Sequence, residues 1–236
     1  MSAGDAENQP ISVSLLLRAD LLMRRAIHSA LVLAAMVACR AEIIDRIAVT
    51  VGKEVITESD VIRDLRISAM LDQKPVNLSG PEKRKAADRL VDQALILKEA
   101  DFIRVAMPSQ EDQDGMLKQV KAQYSNEEAY RAALDSYHVT EADLIAHLMA
   151  GLRAMRFADL RFRPEIQLSP DEVRDFYDQM VAEWKKKGQS PIPTFEASRA
   201  DMEKMLTDQR VSQALDRWLG TQRNETDIIY REPAFK

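Results

Sequence analysis

The sequence predicts a mainly α-helical fold with a small N-terminal β-hairpin closed by a C-terminal strand, and three observations carry that expectation. A β-branched run, Ile43-Ile44-Asp45-Arg46-Ile47-Ala48-Val49-Thr50-Val51, pauses at Gly52-Lys53 and resumes as Glu54-Val55-Ile56. Six hydroxyl residues each stand three positions ahead of an acidic residue, at the head of an apolar periodic stretch. After the last such stretch comes a lone extended run, Asp227-Ile228-Ile229-Tyr230-Arg231.

The hairpin follows from its turn. Glycine at the first of two central positions suits a type II′ turn, whose twist matches that of the flanking strands. The helix starts are Thr57 with Asp60, Ser79 with Glu82, Ser109 with Asp112, Ser125 with Glu128, Thr140 with Asp143, and Ser169 with Glu172. In a capping box the hydroxyl accepts from a free N–H of the first turn while the acid answers from that turn. One such match is weak, but six in register with apolar periodicity predict helices over residues 58–71, 80–102, 110–123, 126–137, 141–163 and 170–186. The fifth carries Leu144, Leu148, Leu152 and Met155 on one face with Ile145 and Met149 beside it; the sixth carries Val173, Phe176, Tyr177, Met180, Val181 and Trp184. Residues 185–193, three lysines, Gly188 and Ser190-Pro191-Ile192-Pro193, form the linker. A seventh helix is expected over 195–223. The strand at 227–231 needs a partner, since an unpaired edge is a liability, and the hairpin supplies the only other strands, so the ends should meet. The expected organisation is therefore a leader and signal over 1–41, a hairpin and six-helix core over 42–184, the linker, and a long helix and closing strand over 194–236 within the same folding unit.

The first forty-one residues read as an export signal. Arg24 and Arg25 precede an apolar run from Ala26 to Cys39, broken by His28 and Ser29, with small residues before Glu42. A membrane span needs about 20 apolar residues, more than this run supplies. Residues 23–41 make a complete signal by themselves, so Met23 is an alternative start, and cleavage is expected after Ala41. An uncleaved signal anchor is one alternative. Lipidation at Cys39 is another, against which stands the lack of a tether before the strand at Ile43.

Without residues 1–41, which hold four Lys/Arg and three Asp/Glu, the chain keeps 29 basic against 35 acidic residues. That balance argues against nucleic acid as a partner, because such affinity rests on clustered cationic charge. Cys39 is the one cysteine, so no disulfide is expected beyond it and a core must stabilise the fold. His138 and His147 do not share a helix face, no H-E-x-x-H surrounds them, and they read as a turn residue and a helix-surface residue. There is no G-x-S-x-G elbow and no glycine-rich phosphate loop. No cofactor and no metal are expected, and no membrane span after residue 41. What stands out is methionine, at positions 70, 107, 116, 149, 155, 180, 202 and 205. It is a flexible side chain used both to fill cores and to line adaptable binding surfaces.

Several stretches resemble the SurA family of periplasmic chaperones. IIDRIAVTVGKEVITESDVIRDLRI, from Ile43, is similar to that family's opening hairpin and first helix; DRLVDQALILKEA, from Asp88, is similar to its second helix. YHVTEADLIAHL, from Tyr137, and LSPDEVRDFYDQ, from Leu168, resemble its later helix starts, and residues 195–230 resemble its long closing helix and strand. The resemblance implies a helical chaperone domain of the SurA N-terminal kind that cradles extended, aromatic-rich polypeptides. It departs from the family at residues 185–193, where one or more parvulin-type prolyl isomerase domains would sit. Such a domain needs on the order of 100 residues, so isomerase activity is not carried over.

The expected function is an ATP-independent, periplasmic holdase for unfolded outer-membrane or secreted polypeptides, and not an enzyme. The alternatives are a prolyl isomerase of minimal kind and an adaptor subunit for one fixed protein partner. The residues expected to line a peptide-binding groove are Ile67, Met70, Leu71, Met149 and Met155, on the first and fifth helices. The sequence sets no expectation for oligomeric state.

Overall fold

Strand β1 (Ile47–Val51) and strand β2 (Glu54–Thr57) pair antiparallel about a two-residue turn, Val51 opposite Glu54. Gly52 adopts φ +59, a backbone conformation that only glycine enters without cost. In this computed structural model the described residues are 45–236, and the expected signal, start site, cleavage point and Cys39 lie outside them. The strand begins at Ile47, four residues later than expected; residues 43 and 44 lie outside the described chain, while Asp45 and Arg46 are occupied with the next helix. The Asp45 carboxylate accepts from the Ser59 N–H at 3.3 Å and the Arg46 carbonyl from the Glu58 N–H at 2.7 Å.

Seven α-helices follow among the described residues: α1 (Glu58–Leu71), α2 (Gly80–Phe102), α3 (Gln110–Lys121), α4 (Glu127–Tyr137), α5 (Glu141–Phe162), α6 (Pro170–Lys186) and α7 (Phe195–Glu225). The boxes at Thr57, Ser109 and Ser169 form in both directions. At Thr140 the hydroxyl caps as expected, accepting from the Asp143 N–H at 3.0 Å. Ser79 is the N-cap residue of α2 but makes no side-chain cap bond; its N–H donates to the Asn77 carboxamide oxygen at 3.0 Å, and Glu82 is turned to Lys85 at 2.7 Å. At α4 the cap is Asn126 rather than Ser125; its carboxamide oxygen accepts from the Ala129 N–H at 2.7 Å and so displaces the start by one residue.

Strand β3 (Ile228–Tyr230) pairs antiparallel with β1, Val49 opposite Tyr230 and Val51 opposite Ile228, so the sheet order is β2-β1-β3 with β1 in the middle. A 3₁₀ turn, Glu232–Phe235, then lies on α2. Three apolar clusters hold the helices. One joins the sheet to α2, α5 and α7 through Val49, Val91, Phe157 and Leu219. Another joins α1, α3, α4 and α5 through Met70, Val120, Tyr130 and Leu144. The third, Val173, Met202 and Leu206, pairs α6 with the first half of α7. Because α7 has 31 residues, it reaches from that pair into the main core, where Val211 and Leu219 are buried.

Candidate functional site

Helix α5 is fixed by its inner face. Phe157 and Phe162 stand edge to face with ring centroids 6.0 Å apart, and Trp218 of α7 lies 5.1 Å from Phe157. Met155 and Leu160 are each 59% exposed; five residues apart, they stand about 140° from one another around α5, on either side of the outward ridge of Asp159 and Arg163. Phe102, at the end of α2, and Met107, in the following loop, are more exposed still.

Two apolar hollows flank this outer face. One, of about 410 Å³, lies between α5 and α7 and includes Met155, Ala158, Val211 and Leu215. The other, of about 570 Å³, includes Leu160, Pro164, Val105 and Ala106. Both are bounded by Asp159 and Arg163, so the hollows adjoin. Arg163 binds Asp159 at 2.6 Å and Asp208 of α7 at 2.7 Å, and the Asp208 and Asp159 carboxylates push its pKa further up.

The loop wall of the larger hollow is pinned from within. Arg104 takes a left-handed conformation, φ 59, that ends α2, and the Val105 N–H returns to the Ala100 carbonyl at 2.8 Å. Arg153, buried on α5, donates to the Val105 carbonyl at 3.3 Å and to Asp101 at 2.6 Å. Arg156 binds Asp112 at 2.7 Å. The Asp112 carboxyl is held below the usual range first by the Ser109 N–H and then by Arg156, so one residue serves both the α3 cap and the α3–α5 contact.

Of the residues expected in a groove, Met155 lies at the rim of the smaller hollow. Met149 is half-buried and lines neither hollow. Leu71 is half-buried against the cluster of α1, α3 and α4. Met70 is a core residue, 0% exposed, which corrects the expectation that it reaches beyond the core; Ile67, 2% exposed, is also buried but borders a cleft between α1, α2 and α5. The cause is α4, whose Tyr130 and Leu134 pack over that face of α1. Phe102 and Leu160 were not expected at the surface. Met107 was noted only for its residue type. Phe102 and Met107 sit where helical periodicity stops, and Leu160 reads as one more apolar residue of α5.

A different cleft, of about 330 Å³, opens between α1, α2 and α5. Asp64 of α1 lies in it, 6% exposed, bound to Arg89 of α2 at 2.6 Å and 3.7 Å from Nδ1 of His147 of α5. His147 is therefore more enclosed than the helix-surface residue expected, and burial lowers its pKa against the pull of Asp64. His138 caps α4 in the left-handed conformation, φ 53, a turn residue. Among the described residues no group of three or more His, Cys, Asp or Glu is placed to hold a metal, and no helix is long and apolar enough to cross a membrane.

No protein-family model matches the chain, and no curated protein matches it in sequence. The chain is similar to a solved structure from work on the virulence factor PEB4 and the periplasmic protein Cj1289, described as two structurally related SurA-like chaperones of Campylobacter jejuni. That similarity covers 79% of this chain and 99% of the other, at 12% identity and a TM-score of 0.46.

Proposed function

We propose that this chain is an ATP-independent periplasmic chaperone, a holdase for unfolded outer-membrane or secreted polypeptides, which binds them along the outer face of α5. The observation that supports this reading is the exposure of Met155 and Leu160 on the two flanks of α5, each in one of two apolar hollows that meet at Asp159 and Arg163, on a helix anchored by Phe157, Phe162 and Trp218. A surface that keeps adjoining apolar hollows open is set up for association. Methionine at its rim adapts to clients of different shape. Burying one leucine-sized side chain contributes about 1.5–3 kcal/mol, and the cost of ordering both partners is set against it, so binding through a few such contacts is reversible without nucleotide.

The test is binding of a urea-unfolded outer-membrane protein to residues 42–236, followed by fluorescence anisotropy, beside a protease-coupled X-Pro isomerisation assay. The proposal expects saturable binding and no turnover. Turnover without binding would replace it with the isomerase. For the compartment, N-terminal sequencing of the native protein should give Glu42.

A further inference from the structure

The cleft between α1, α2 and α5 has features that the outer face of α5 does not explain. Its lining is mixed: Leu90 and Ala94 of α2 and Ala146 and Ala150 of α5 supply small and apolar surface, beside charged side chains of α1 and α5. At its base Asp64 is more than nine-tenths buried. One of its oxygens accepts from Arg89 at 2.6 Å. The other has only His147 Nδ1 at 3.7 Å, too long for a hydrogen bond. That oxygen is not sealed in the core: among the described residues the buried side-chain atom without a partner is Arg153 Nε. Asp64 Oδ1 is thus an acceptor left open to the cleft, where a cationic donor would make a charge-assisted hydrogen bond.

The surrounding charge fixes the sign of what satisfies it. Glu54, Asp60 and Asp143 share the lining with Asp64. Against them stand Arg63, already spent on Asp60 at 2.7 Å and Asp143 at 3.1 Å, and Arg89, spent on Asp64. The carboxylates therefore outnumber the guanidiniums, and the net charge of −5 on the whole chain adds to the attraction for cations.

We propose that this cleft binds a basic side chain of the client polypeptide, its aliphatic stem against the alanines and its cationic head on Asp64 Oδ1. Long basic side chains suit such a site, since they combine an apolar stem with a charged tip. The inference rests on the chaperone reading for the source of the side chain, and adds a charge preference to it.

The experiment compares two short apolar peptides, identical except for a central arginine or its neutral isostere citrulline, by fluorescence anisotropy. The arginine peptide should bind the wild type about tenfold more tightly, the size of one charge-assisted hydrogen bond. The difference should vanish in Asp64→Asn and in Ala146→Leu, the latter an exposed position at the cleft that leaves the core untouched. Equal binding of the two peptides by the wild type overturns the inference and leaves the chaperone reading in place. If neither peptide binds, arginine amide decides the cleft alone, and the unfolded outer-membrane protein decides the chaperone reading separately: NMR shifts of the Ala94 and Ala146 methyls, absent in Asp64→Asn, support the inference, and unshifted methyls overturn it.

Discussion

The backbone of Gly80 lies directly against the carbonyl oxygen of Phe235, with no room for a β-carbon between them. This contact seats the chain's last turn on the first residue of α2, beside Lys83, which binds Glu58 at 2.8 Å, and Arg84, whose guanidinium lies 3.5 Å from the centre of the Tyr230 ring. Gly80→Ala should therefore cost about 1–3 kcal/mol by overpacking, although alanine is the better helix former. Gly115→Ala, at an exposed position of α3 with open space around it, should gain about 0.5–1 kcal/mol. Urea denaturation of both variants checks the pair, and equal signs would contradict the contact.

Removal of residues 226–236 should cost much more. It takes β3 from one edge of β1 and leaves the N–H and C=O groups that pair with Ile228 and Tyr230 without partners. It also frees Asp88, which Tyr230 engages through its hydroxyl. A loss of about 4 kcal/mol would lower the melting temperature by roughly 8–16 °C. A truncated chain that melts within about 2 °C of the intact one would show that β3 contributes no more than about 0.5–1 kcal/mol.

Core and surface methionines should separate cleanly. Met70→Ala removes a fully buried side chain and should cost about 2–5 kcal/mol of stability. Met155→Ala and Leu160→Ala should leave stability within about 0.5 kcal/mol while weakening client affinity by about 0.5–1.5 kcal/mol each. Paired denaturation and anisotropy measurements read both quantities from the same variants.

These contrasts also mark where the sequence was legible. Helix starts were readable because a cap is local chemistry spanning four residues, as at Thr57, Ser109 and Ser169. The miss at Ser125 is local too, the cap passing to the Asn126 side chain one residue on, while Ser79 keeps its place as N-cap without a side-chain bond. The closing strand was readable because an edge must find a partner and the candidates were few. Burial on α1 was not, because Met70 is covered by Tyr130 and Leu134, sixty residues away in sequence. The buried group at Asp64, Arg89 and His147 was hidden for the same reason, each residue coming from a different helix.

That group predicts a pH dependence. Burial lowers the pKa of His147 in the folded protein, with Asp64 opposing and Arg89 assisting, below the value of 6.5 it has in the unfolded chain. Between the two values the unfolded chain binds more protons, so stability falls as pH drops through that window. Melting of the wild type and of His147→Gln from pH 7.5 down to about 5 isolates the effect from the carboxylates common to both. The wild type should lose more over that interval, and parallel curves would show that His147 titrates as if exposed.

The central claim is that the outer face of α5 keeps unfolded polypeptides soluble. Light scattering of an unfolded outer-membrane protein, diluted from urea into increasing amounts of residues 42–236, tests it most directly. The wild type should suppress aggregation in proportion to its concentration, approaching completion near equimolar amounts, while Met155→Asp/Leu160→Asp, folded and equally stable, should fail to do so. Suppression by the double variant equal to that of the wild type would place client binding elsewhere, and aggregation undiminished by the wild type would contradict the chaperone function itself.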